Sequence, residues 1–215
     1  MNAIITGGTG MIGSLVLDQC LSSDKIKQVI SLVRRGTSRQ HSKLKEVVIT
    51  NFADYREQQA LFQDVGLAFF CLGAYTGQIP PDEFKIITVD YAVAFAKALY
   101  SQSPSANLCL LSGAGADRTE KSRTSFARFK GMAENQIAAL GISFFAFRPG
   151  YIYPVEKRNE PNLMYRVSRR LYPVIRLFGN NASIKSTALA AAMFNVGMSG
   201  ADHEILENRD ILKYV

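Results

Sequence analysis

A chain of 215 residues in which 47% are hydrophobic fills one domain core and is too apolar to be disordered. Its 25 basic and 18 acidic residues leave a net charge of +7, which favours anionic ligands. No zinc-finger spacing, RNP-like aromatic strand or basic tail points to nucleic acid, and no apolar run reaches the ~18 residues of a membrane span.

In chain order, the apolar start Ala3-Ile4-Ile5 predicts a strand, and the apolar-periodic run from Met11 to Cys20 predicts a helix. Glycines interrupt that first apolar segment too soon for a secretory leader. Between strand and helix lies Gly8-x-Gly10-x-x-Gly13, the spacing of a dinucleotide-binding turn. One glycine allows a sharp turn, one lets backbone approach a pyrophosphate, and one lets the helix press on the strand. The helix start presents unpaired N–H groups and its positive dipole end to the phosphates. Gly7, Gly8, Thr9, Gly10, Met11, Ile12 and Gly13 are therefore candidate cofactor ligands. A Walker-type phosphate loop shares the outer spacing, but Ser14 follows Gly13 where that loop needs lysine.

The second strand, Lys27–Val33, ends at Arg34-Arg35, and no acid follows until Glu46. A carboxylate about 20 residues beyond the glycine turn would bind the ribose of NAD, whereas arginine accommodates the 2′-phosphate of NADP. Arg34 and Arg35 thus select NADP over NAD; the competing reading is a solvated loop. After a third strand, Glu46–Thr50, Asn51-Phe52 places an amide against an adenine edge or merely starts a turn. The fourth strand, Leu67–Gly73, runs into Leu72-Gly73-Ala74, small residues at the carboxyl edge where ligands bind in open α/β sheets. A helix over residues 84–100, a fifth strand over 107–112, a helix over 122–140 stopped by Gly141, and a sixth strand over 143–147 complete the pattern.

Strands alternating with helices predict an α/β, doubly wound, mostly parallel sheet in one domain, 1–215, with 151–183 as a small, less regular cap. Within the cap, Arg166, Arg169 and Arg170 share one helical face and Leu163, Met164, Val167 and Leu171 the other. That basic segment, 157–176, is either a docked amphipathic helix or a lid for an anionic substrate or partner. Cys20, Cys71 and Cys109 lie apart in apolar runs and read as buried thiols of a reducing, cytoplasmic protein, not as metal ligands. His41 and His203 read as surface residues.

Thr6-Gly7-x-x-Gly10-x-x-Gly13, Phe70-Cys71-Leu72-Gly73, Ser112 within Leu110-Leu111-Ser112-Gly113-Ala114-Gly115-Ala116-Asp117, Phe129-Lys130-Gly131, Phe147-Arg148-Pro149-Gly150 and Glu204–Asn208 together resemble the short-chain dehydrogenase/reductase superfamily. More narrowly they are similar to its atypical, Tat-interacting-protein-like branch. The resemblance implies a Rossmann-type sheet of order 3-2-1-4-5-6, bound NADP(H) and carbonyl reduction. It makes Ser112 and Lys130 the catalytic candidates, gives Lys130 the nicotinamide ribose as well, and adds Pro149 to the cofactor ligands.

One departure bears on activity. The superfamily's acid is a tyrosine four residues before the lysine, and Phe126 stands there. Phenylalanine has no proton to give, and loss of a general acid costs about 10²–10⁴-fold in rate. Spacing from Phe126 also points to Gly113, rather than Ser112, as the serine position. Tyr75 or Tyr151 could supply another hydroxyl. Two expectations follow: a weak reductase of a small-molecule carbonyl substrate, or a non-catalytic redox sensor or scaffold that regulates a protein partner.

Overall fold

A computed structural model describes residues 1–74, 78–155, 179 and 181–215. Seven strands form one parallel sheet: β1 (Asn2–Thr6), β2 (Gln28–Val33), β3 (Leu44–Val48), β4 (Val65–Phe70), β5 (Asn107–Leu111), β6 (Phe144–Arg148) and β9 (Ile205–Glu207). Their order is β3-β2-β1-β4-β5-β6-β9. The expected 3-2-1-4-5-6 order is present and is extended by one strand. β9 pairs with β6, setting Ala146 beside Ile205, Phe147 beside Leu206 and Arg148 beside Glu207.

The central strands are apolar throughout because both faces are covered. Ile4, Ala68, Phe70, Leu108, Leu110 and Phe144 point to one face, under α3 (Tyr91–Gln102) and α4 (Ser125–Ala138). Ile5, Leu67, Phe69, Cys109, Phe145 and Phe147 point to the other, under α1 (Met11–Ser22) and α5 (Ser186–Ser199). Cys20, Cys71 and Cys109 are buried free thiols of this second layer.

The helix expected over 84–100 is three pieces: α2 (Pro81–Lys85), a π turn (Ile86–Asp90) and α3. The wider turn shifts the helical phase, and Phe84, Val89 and Phe95 are all buried. Beyond the main sheet, β7 (Tyr151–Tyr153) pairs in parallel with β8 (Ser183–Lys185), and α6 (Asn208–Ile211) follows β9. Tyr75 and the basic segment 157–176 lie outside the described residues. Among those described, no helix is long and apolar enough to cross a membrane.

Candidate functional site

The glycine turn sits where β1 meets α1. Gly7 has φ +76°, a left-handed conformation that glycine adopts without strain. A side chain there would also place Cβ 2.6 Å from the carbonyl of Cys71, so the turn rests on the end of β4. The Gly10 N–H donates to the Gly7 carbonyl at 2.9 Å, and the Ser14 N–H donates to the Gly10 carbonyl at 2.9 Å. A Cβ on Gly13 would overlap that same Gly7 carbonyl. Gly13 therefore presses helix on turn, while the sharp turn is Gly7, which the Gly8-x-Gly10-x-x-Gly13 count omits. The first turn of α1 has neither an acidic side chain nor a side-chain cap, leaving its N–H groups to an outside acceptor. Beneath the turn, the hydroxyls of Thr6 and Ser31 are buried without a hydrogen-bond partner among the described residues.

Arg34 and Arg35 are exposed at the end of β2, and no carboxylate pairs with either among the described residues. Glu46, the nearest downstream acid, is engaged elsewhere: it accepts from the Thr37 N–H at 2.9 Å and the Thr37 hydroxyl at 2.8 Å. Arg39 ion-pairs with Asp18 and folds the loop against α1. Asn51 Oδ1 accepts from the Ala53 N–H at 3.0 Å, the turn-starting alternative. Phe52 is buried against Tyr91 and Tyr55, ring centroids 5.8 and 6.5 Å apart, so its ring serves the core. At the end of β4, Leu72 is half-buried, Gly73 is exposed with nothing within 4 Å of its Cβ position, and Ala74 is half-buried.

The structure places Ser112 in a buried polar network. Its Oγ donates to Glu134 Oε1 at 2.6 Å. Glu134, on α4 and 0% exposed, also accepts from Arg148 Nε at 3.0 Å and Nη2 at 2.5 Å. Arg148 Nη1 reaches on to Glu207 of β9 at 3.0 Å. The backbone beside the Phe126 ring is instead that of Gly113, whose Cβ would stand 2.5 Å from Phe126 Cζ. Lys130, one turn further along α4, donates from Nζ to the Leu111 carbonyl at 2.9 Å, where β5 ends. Burial pulls its amine down to about 8, against the opposing effects of Glu134 and Cys71.

Gly131 lets α4 lie on the loop below, because a Cβ there would overlap the Asp117 carbonyl. The Asp117 carboxylate accepts from the N–H groups of Thr119, Lys121 and Ser122, which fixes the loop leading into α4. Pro149 accepts from the Ala114 N–H at 3.0 Å, and the Gly150 N–H donates to Asn208 Oδ1 at 2.9 Å. The Tyr151 N–H then donates to the Ala182 carbonyl at 2.9 Å. Thus Gly7–Gly13, Leu72–Ala74, Lys130 and Pro149 line one carboxyl edge of the sheet, with Arg34 and Arg35 at its β2 end. Sequence reasoning missed Glu134; its signal was an acid on the apolar side of α4, one turn after Lys130.

Fold and site define a Rossmann-type α/β protein whose first strand and helix are joined by a glycine turn of dinucleotide-binding spacing. Residues 3–79, a little over a third of the chain, match the NAD dependent epimerase/dehydratase family. Protein FMP52, mitochondrial, from Candida albicans is 28% identical over 168 residues, covering 74% of this chain and 71% of that protein. Among solved structures, the Thermotoga maritima UDP-glucose 4-epimerase with UDP-glucose superposes with a TM-score of 0.72 at 14% identity, covering 99% of this chain and 81% of that one. The Bordetella bronchiseptica enzyme WbmF in complex with NAD⁺ gives 0.70 at 12% identity, covering 99% and 76%.

Proposed function

We propose that this chain binds NADP(H) along the carboxyl edge and slowly reduces a small carbonyl substrate. The observation that carries the reading is the cradle itself. Gly7 and Gly13 are packed so closely that a Cβ at either would strike backbone, while Gly73 opens onto free space. A pyrophosphate fits there against the uncapped N–H groups of α1. Arg34 and Arg35 hold the 2′-phosphate, Gly73 and Ala74 line the nicotinamide ribose, and Lys130 donates to its hydroxyls. When bound, the reduced dinucleotide supplies a hydride; the chain supplies binding, orientation and a proton. The structure of WbmF with NAD⁺ supports a nicotinamide dinucleotide, and the two exposed arginines, with which no carboxylate among the described residues pairs, support the phosphorylated form. The buried thiols support a reducing location, proposed here as the cytoplasm.

The chain has no tryptophan, so NADPH fluorescence follows binding against little background. NADPH is expected to bind more tightly than NADH, and the Arg34→Ala/Arg35→Ala variant to lose about tenfold or more of that preference, since a charge-assisted contact contributes ~1.5–3 kcal/mol. A variant that keeps its preference would remove NADP selectivity from these residues. Phe126→Tyr is expected to raise turnover of para-nitrobenzaldehyde about tenfold or more, because it returns an acidic hydroxyl next to Gly113. Ordinary rates in the wild type, unimproved by the tyrosine, would end the missing-acid argument.

The Phe126–Gly113 contact favours a second reading, a dinucleotide-binding sensor or scaffold that acts through a partner. Tight NADPH binding without turnover of any carbonyl would decide for it.

A further inference from the structure

Resting on the dinucleotide reading of this edge, we propose that the Lys130 ammonium is the proton donor of the reduction, in place of the absent phenol. Position is the first argument. Nζ is tethered 2.9 Å from the Leu111 carbonyl at the end of β5, one helical turn beyond Phe126. That carbonyl occupies one ammonium proton and leaves two. The neighbouring β4 end, at Cys71, carries the glycine turn on its backbone, so the ammonium and the cradle share one edge.

Elimination is the second argument. Phe126 has no proton, Gly113 has no side chain, and the Ser112 hydroxyl is donated to Glu134. Of this group, Lys130 alone keeps ammonium protons that no described residue accepts, so one remains transferable while another reaches the ribose.

The surroundings are the third. Among the described residues, the groups facing Nζ are Glu134 on its own helix, the Cys71 thiol from β4, and the Leu111 carbonyl from β5. Glu134 is already held by Arg148 of β6, which Glu207 of β9 also engages. The carboxylate therefore fixes the region without claiming the ammonium in a direct ion pair. Burial outweighs it and brings the amine to about 8, an acid strength suited to proton transfer near neutrality.

The step balances. The substrate carbonyl carbon gains a hydride from the reduced nicotinamide dinucleotide, which is oxidised. The C=O π pair moves to oxygen, and an N–H bond of Lys130 breaks as the O–H bond forms. The neutral amine then takes a proton from water.

The test uses the full chain with NADPH bound, binding being read by fluorescence and turnover with phenanthrenequinone. Turnover is expected to be level below the Lys130 midpoint of about 8 and to fall as pH rises through it, because the acid must be protonated. Lys130→Arg keeps a positive charge but holds its protons beyond pH ~12, so with NADPH at saturation, as read by fluorescence, kcat should fall about 10²-fold and the pH limb should disappear. Independently of turnover, the Nζ nitrogen resonance should titrate with that midpoint in the wild type. Bound NADPH with a flat pH profile, with an unslowed arginine variant, or with no turnover overturns the proton-donor role and leaves the cofactor reading standing. No NADPH binding overturns both.

Discussion

Replacing Glu134 with alanine is expected to destabilise the protein by about 3–5 kcal/mol, the usual cost of removing one partner from a buried ion pair. The side chain is 0% exposed and accepts three hydrogen bonds, one from Ser112 and two from Arg148. Its loss leaves the Arg148 guanidinium, itself only 12% exposed, with Glu207 at its outer end and nothing at its inner one. Ser112→Ala removes one bond to the same carboxylate and should cost only about 1 kcal/mol. Urea unfolding of the two variants measures the difference. A Glu134→Ala loss under about 1 kcal/mol would show that Glu207 and water satisfy Arg148 unaided.

Gly13→Ala is expected to lower NADPH affinity about 100-fold or more and to reduce stability by ~1–3 kcal/mol. The added methyl would overlap the Gly7 carbonyl, which is backbone and cannot swing aside like a side-chain tip. Either α1 retreats or the turn opens, and both displace the N–H groups at the start of α1 that the proposed cofactor site offers to the phosphates. Gly73→Ala is the control for stability, because its Cβ would enter open space. NADPH titration and thermal melting of the pair separate the effects. A Gly13→Ala protein that binds NADPH normally would show that phosphate recognition does not depend on this contact.

The sheet was legible because its strands carry their burial as unbroken apolar runs, and the turn was legible because glycine spacing is local. What could not be read depended on tertiary pairing. Ile205–Glu207 is three residues long and becomes a strand only through its register with β6. The Ser112 context and the Phe126 spacing gave different serine positions, and only packing shows the ring against Gly113 and the Ser112 hydroxyl turned to Glu134. Phe52, adjacent to Asn51, enters the aromatic core because Tyr55 and Tyr91 meet it there, which no spacing rule reports. Gly7 was legible as a ligand but not as the sharp turn, because it lies outside the Gly8-x-Gly10-x-x-Gly13 spacing and its requirement is a backbone angle and a neighbouring strand end.

The bond from Arg148 to Glu207 spans 59 residues of chain. At about 5–20 residues per second, a ribosome makes the arginine about 3–12 s before the carboxylate that caps its outer end. Through that interval β6 is a raw edge of the nascent sheet, and the guanidinium has Glu134 as its sole partner in this network. Stalled translation between the two would leave an apolar strand, Phe144–Arg148, open to pairing with another chain.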